Sequence, residues 1–150
     1  MREIKFRGKS TETKLHTVLW RFGSLLTPPN EACKPLIYER FSRPMHDGNG
    51  YWYEVEAETV GQYTGMKDLT GKEIYEGDVL ECLADDGPFT VRVVFRNGAF
   101  HTDVYDGVNG ADFTCLLVDI FALGDVRIVG NIWDGYPKFV SIAGMGGFEK

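Results

Sequence analysis

The dipeptide Asn97-Gly98 lies between two alternating runs, Phe89–Phe95 and Ala99–Val104. A two-residue type I′ turn needs positive φ at both central positions, and Asn-Gly tolerates that better than almost any other pair. The chain is therefore predicted to double back here as a β-hairpin. In its first strand Phe89, Val91, Val93 and Phe95 alternate with Thr90, Arg92 and Val94, so both faces are expected to be partly buried. The same grammar recurs along the sequence. Eighteen glycines and six prolines divide 150 residues into short apolar segments, a pattern of strands joined by tight turns.

Residues 2–7 place Ile4 and Phe6 on one face and Glu3, Lys5 and Arg7 on the other, the period-2 signature of a half-buried strand. Thr17–Phe22 is its expected partner. Residues 23–50 read as irregular, with Pro28-Pro29 barring a helix and Asp47-Gly48-Asn49-Gly50 forming a turn. Tyr51–Ala57 is the next strand, with Tyr51, Tyr53, Val55 and Ala57 on one side and Trp52, Glu54 and Glu56 on the other. Val79–Leu83 is a short strand, and Asp85-Asp86-Gly87-Pro88 a turn. Phe113–Leu123 is apolar enough for a buried strand or a short helix, and periodicity does not decide between them. Val126–Trp133 is a late strand that Gly135 and Pro137 end, and residues 141–150 form a glycine-bearing tail expected to be flexible. No internal repeat, coiled coil or long amphipathic helix is present in the pattern.

These features predict a mainly β fold with little helix. The core is expected to be an SH3-like, small barrel-type structure over about residues 58–133, supplemented by an amino-terminal strand region. One domain spanning residues 1–150 suits the length.

Several function classes are disfavoured at this level. The net charge is −6, whereas generic DNA-coating proteins are basic because phosphate neutralisation dominates their affinity. The charge is uneven. Residues 1–75 hold 11 basic and 10 acidic side chains, residues 76–150 hold 5 and 12, and the first 22 residues hold six and two. The amino-terminal strip is thus a possible phosphate-facing surface, with a solvated strand face as its plainer reading. Cys33, Cys82 and Cys115 are widely spaced, as are His16, His46 and His101, so no zinc spacing is present and free thiols are expected. No P-loop, G-x-G-x-x-G or G-x-S-x-G occurs. No cofactor and no metal are expected. The start MREIKFRGKS lacks an apolar signal region and no run approaches a membrane span, so a cytoplasmic, soluble protein without a membrane partner is the expectation.

The densest local signal is Glu58–Val79, ETVGQYTGMKDLTGKEIYEGDV. Asp68 is placed to bond nearby backbone amides, Gly71 to permit the turn after it, and Asp78 to cap the tight corner that Gly77 allows. The stretch Val60–Asp68, with Gly71-Lys-Glu-Ile-Tyr-Glu-Gly-Asp78, resembles the central signature of the YopX family of bacteriophage and prophage proteins. MREIKFRGK resembles that family's opening strand, and Val129-Gly-Asn-Ile-Trp133 its closing one. The resemblance implies a phage or prophage origin and a mainly β structure. It implies no catalytic residues.

Tyr63, Lys67, Asp68, Lys72, Tyr75, Glu76 and Asp78 form the candidate binding surface, since aromatics interleaved with lysines suit base stacking and phosphate contact. The competing reading makes them turn chemistry. Acid–base work by Glu73, Glu76 or Asp78 would need a cleft that separates two pKa values, which spacing does not provide. The expected function is that of a phage or prophage accessory protein acting by binding. A weak nucleic-acid module and an enzyme of unrecognised type are the alternatives. Two uncharged strand candidates, Thr17–Trp20 and Phe113–Val118, predict self-association, most simply a dimer.

Overall fold

The computed structural model describes residues 1–14, 17–40, 49–105 and 110–134. By its internal contacts the chain divides into two compact units, Met1–Tyr63 and Thr64–Lys150.

The first unit is an antiparallel sheet. Its strands are β1 (Phe6–Lys14), β2 (Thr17–Leu26), β3 (Leu36–Arg40) and β4 (Gly50–Glu54), followed by a 3₁₀ turn at Ala57–Thr59. The start of β5 (Gly61–Lys67) pairs with β1, through Phe6↔Gln62 and Arg7↔Gly61. The expected pairing of the first two strands is present, with Phe6 opposite Gly23 and Lys9 opposite Trp20, and with a bulge between Lys9 and Thr13. The first strand differs in extent from the sequence reading. It begins at Phe6 rather than residue 2 and runs on through Ser10, Thr11 and Thr13, because β2 supplies hydrogen-bonding partners that the polar run alone does not advertise.

A second correction concerns residues 23–50. That stretch is not wholly irregular: β2 continues to Leu26, and Leu36–Arg40 is a strand lying between β2 and β4. Its apolar run, Leu36-Ile37-Tyr38, is too short to stand out alone. Pairing on both sides buries Ile37 completely.

The second unit holds the remainder of β5, then β6 (Glu73–Tyr75) beside it, and a second antiparallel sheet. That sheet comprises β7 (Asp78–Ala84), β8 (Gly87–Arg96), β9 (Ala99–Tyr105), β10 (Gly110–Leu116) and β11 (Gly124–Asn131), in the order β10-β9-β8-β7-β11. Asn97 has φ 51° and Gly98 φ 79°, which gives the β8–β9 turn both of its positive-φ positions. The ambiguous segment 113–123 is strand and helix in succession. β10 ends at Leu116, and α1 (Leu117–Phe121) turns Leu117 and Ile120 into the core. Those two residues are three apart, one face of a single helical turn. The core itself is Ile74, Leu80, Cys82, Val91, Val93, Leu117, Ile120 and Val126.

The content is mainly β with little helix, as expected. The sheets retain edge strands and do not close on themselves, so neither is a closed barrel. Among the described residues no helix is long and apolar enough to cross a membrane. Asp47-Gly48, of the expected turn, Gly135 and Pro137, expected to end the last strand, and the tail 141–150 lie outside the described residues, as do His16 and His46.

Candidate functional site

The signature segment is organised by one carboxylate. Asp68 ends β5 and is 6% exposed. Its Oδ1 accepts hydrogen bonds from the Thr70 amide at 2.8 Å, the Thr70 hydroxyl at 2.7 Å and the Lys72 amide at 3.0 Å. Its Oδ2 accepts from the Ile128 amide on β11 at 3.0 Å. Backbone bonds from Leu69 to Val126 (2.9 Å) and from Asp68 to Lys72 (2.8 Å) close the same knot. Burial alone would push the Asp68 carboxyl up, but the four donors together outweigh it and hold the pKa below the ordinary aspartate value.

Asp78 does the same one turn later. Its Oδ2 accepts from the Tyr75 amide at 2.8 Å and fixes the corner that leads into β7. Gly77, at φ 90°, permits that corner, and the Trp133 ring packs where a Cβ at this position would stand. The amide of Gly77 donates to the Val93 carbonyl at 2.8 Å, and its own carbonyl accepts from Ile132 at 3.0 Å.

The candidate residues are therefore distributed in a definite way. Tyr75 is 2% exposed, and its hydroxyl lies 3.3 Å from Glu73 Oε1. Tyr63, which belongs to the first unit, is buried beneath the Lys5 ammonium, 5.5 Å from its ring centroid. Lys67 and Lys72 are exposed, and Glu76 is half-buried. Neither tyrosine presents an open ring face. Asp68 and Asp78 face backbone amides rather than solvent.

An exposed aromatic and cationic surface lies elsewhere, on β1–β4. Directly opposed residues of an antiparallel sheet share a face, and so do alternate residues of one strand. The pairings Arg7↔Phe22, Lys9↔Trp20, Ser24↔Tyr38 and Tyr38↔Trp52 thus collect Arg7, Lys9, Trp20, Phe22, Tyr38 and Trp52 on one side. Arg40, two residues beyond Tyr38, joins them. The guanidinium of Arg7, itself buried, sits 4.6 Å from the Trp20 ring centroid and the half-buried Lys9 ammonium 5.6 Å from it, so the tryptophan organises two cations. Tyr38 and Trp52 pack with centroids 5.0 Å apart, tilted by 48°. Trp52 remains 51% exposed and Phe22 39%. The acids described on this side include Glu54, at the end of β4, which accepts from the Thr11 hydroxyl at 3.1 Å, and Glu3, which pairs with Lys5.

On the opposite side of the same sheet Tyr51 is 59% exposed, and its neighbours are packed. Ile37 and Val55 are buried, and Arg21 lies 3.7 Å over Tyr53 while pairing with Glu39 at 3.1 Å. The alternation of Val18, Trp20 and Phe22 was the signal available in the sequence for the outer face. Assembling it required β3, which the sequence reading did not find.

Two buried carboxylates also escaped that reading. Glu81 on β7 meets Arg127 at 2.7 Å, and Asp103 on β9 meets Arg92 at 3.3 Å and Arg96 at 3.2 Å. They stand on separate strands and each is held by guanidinium groups, an arrangement that braces a sheet face. Burial pushes the Cys82 thiol up, reinforced by Cys115 and Asp125, so it is a packing residue rather than a nucleophile. Among the described residues no group of three or more His, Cys, Asp or Glu side chains could hold a metal ion. A depression of about 530 Å³ at the Pro28-Pro29 loop is lined mainly by proline and aliphatic side chains, with Glu31 and Cys33 as its ionisable groups.

A model of the YopX protein family matches residues 5–136. The chain belongs to the YopX family. The matched range spans the residues of both the Asp68 knot and the aromatic face. A comparison with curated proteins finds no match.

Proposed function

We propose that this YopX-family chain is a phage-type accessory protein that acts in the cytoplasm by binding rather than by catalysis, and that the outer face of β1–β4 is its binding surface. The observation that carries this reading is the exposure of Trp52 and Phe22 beside Tyr38 on a face that also bears Lys9 and Arg40. Large exposed rings cost solvation, and a contiguous group of them marks an interaction site more often than an accident of packing. The signature carboxylates support the choice of binding over catalysis, because their lone pairs are occupied by backbone donors.

The SH3-like reading of the second unit belongs to the same proposal. A four-strand meander, a short helix and a last strand returning beside the first is the wiring of such a barrel, and the order β10-β9-β8-β7-β11 with α1 before β11 follows it. Self-association is proposed through β10, which is outermost in its sheet and leaves Leu116 and neighbouring Val118 exposed.

Capture of partners from infected or lysogenic cells tests the binding reading. Tagged parent protein is expected to retain a partner that the Trp52→Ala variant loses. Equal recovery by both would remove the β1–β4 face from the account.

A further inference from the structure

The face of β1–β4 has a composition that selects among possible occupants. We propose that it binds single-stranded nucleic acid, with bases stacking on Trp52, Tyr38 and Phe22 and phosphates meeting Lys9 and Arg40. The inference rests on the reading of this face as the binding surface and gives that surface a ligand class.

Three features argue for it. The first is the order of side chains across the strands. Neighbouring strands lie about 4.8 Å apart, so Phe22, Tyr38 and Trp52 on β2, β3 and β4 form a stepped row of rings across the sheet. Successive bases of an unpaired strand can stack on such a row, and the stacking tolerates any sequence because every base has a π-face. The second feature is charge. The protein as a whole carries −6, yet the accessible charges on the strands of this face are Lys9 and Arg40 against Glu54, Arg7 being buried. A polyanion is attracted to these cations.

The third feature is concavity. A depression of about 390 Å³ adjoins the row, and its lining includes Phe22, Ser24, Tyr38 and Arg40 together with Lys5, Glu3 and Glu39. Lys5 pairs with Glu3 at 3.2 Å and Arg21 with Glu39 at 3.1 Å, so both acids are partly neutralised within the chain. An aromatic wall beside a guanidinium is suited to a base and its phosphate.

The same features disfavour other occupants. Duplex DNA is read by elements that enter a groove, and a broad face of exposed rings offers stacking that paired bases cannot use. A second copy of the chain, docked about a two-fold axis, would bring Lys9 and Arg40 of both copies into one interface.

The test is a fluorescence-anisotropy titration of a labelled oligothymidylate of about 16 nucleotides. A duplex of equal length is the control, and parent, Trp52→Ala, Trp52→Phe and Arg40→Glu proteins are compared after circular dichroism shows the same fold. The parent is expected to bind the single strand more tightly than the duplex, with an affinity that falls as salt rises by a log–log slope of about −0.7 per phosphate engaged. Trp52→Ala is expected to weaken binding about tenfold, with Trp52→Phe restoring most of it. Arg40→Glu is expected to weaken binding and flatten the salt slope. No binding at about 50 mM salt, equal binding of duplex, or an unchanged Trp52→Ala affinity would overturn the proposal. Light scattering on the same samples separates the two levels of the argument. A parent dimer that Trp52→Ala dissolves, with no oligonucleotide bound, overturns the nucleic-acid inference and leaves the face as a binding surface. No effect of the variants in either assay removes both.

Discussion

The signature loop of the second unit and the outer face of the first are built from similar residues and do opposite things with them. Each combines aromatic rings with charged side chains. In the loop, Asp68 and Asp78 are turned inward to satisfy five donors, and Tyr75 is packed away behind them. On the β1–β4 face the backbone groups are satisfied by strand pairing, which leaves the side chains of Tyr38, Arg40 and Trp52 no such duty. The difference teaches that a tight turn consumes the polar groups near it, because buried amides must find acceptors. A regular sheet satisfies its own backbone and leaves the outward side chains available for a ligand.

That contrast can be broken by substitution, and the loop should suffer most. Gly77→Val adds a Cβ where the Trp133 ring lies and forces a β-branched residue to φ 90°. A loss of about 3–5 kcal/mol is expected by chemical denaturation. A smaller loss would show that Trp133 has room to move. Asp68→Ala leaves the amides of Thr70, Lys72 and Ile128 without their acceptor and should cost about 3 kcal/mol.

Acid sharpens the same point. The folded-state pKa of Asp68 is depressed below 3.8, so its stabilisation is complete above the unfolded value and disappears as pH falls through the folded one. Parent protein should therefore lose stability on acidification below about pH 3.8 more steeply than Asp68→Asn, whose side chain does not titrate. Parallel curves would mean that this carboxylate is not the group governing acid stability.

Gly98→Val tests a turn without a neighbouring contact. No atom lies within 4 Å of the added Cβ, so the cost is backbone strain alone, about 1–2 kcal/mol. Trp52→Ala should be the mildest change in stability, under about 1 kcal/mol, since the ring is half exposed and its described ring partner is Tyr38.

The sequence was most legible where local chemistry and tertiary structure agree. Asn97-Gly98 announced its hairpin because the turn type demands those residues, and Asp68 its knot because the accepting carboxylate lies within four residues of three of its donors. The Ile128 amide, sixty positions away, was beyond local reasoning. β3 was missed because its three apolar residues gain their stability from two flanking strands. Missing it hid the face, since Tyr38 is the ring that joins Trp52 to the cations of β1. The tyrosines of the signature looked like stacking platforms because a sequence shows ring chemistry without burial.

The central claim is that the signature serves structure while the β1–β4 face serves binding. Its most direct test is a side-by-side oligothymidylate titration of Lys67→Ala, Lys72→Ala and Trp52→Ala against the parent. Both lysines are exposed in the signature, so their removal leaves its hydrogen bonds intact. The account predicts parent affinity for the two lysine variants and a loss of about tenfold for Trp52→Ala. A loss in the lysine variants with Trp52→Ala unchanged would contradict it and return the binding site to the signature.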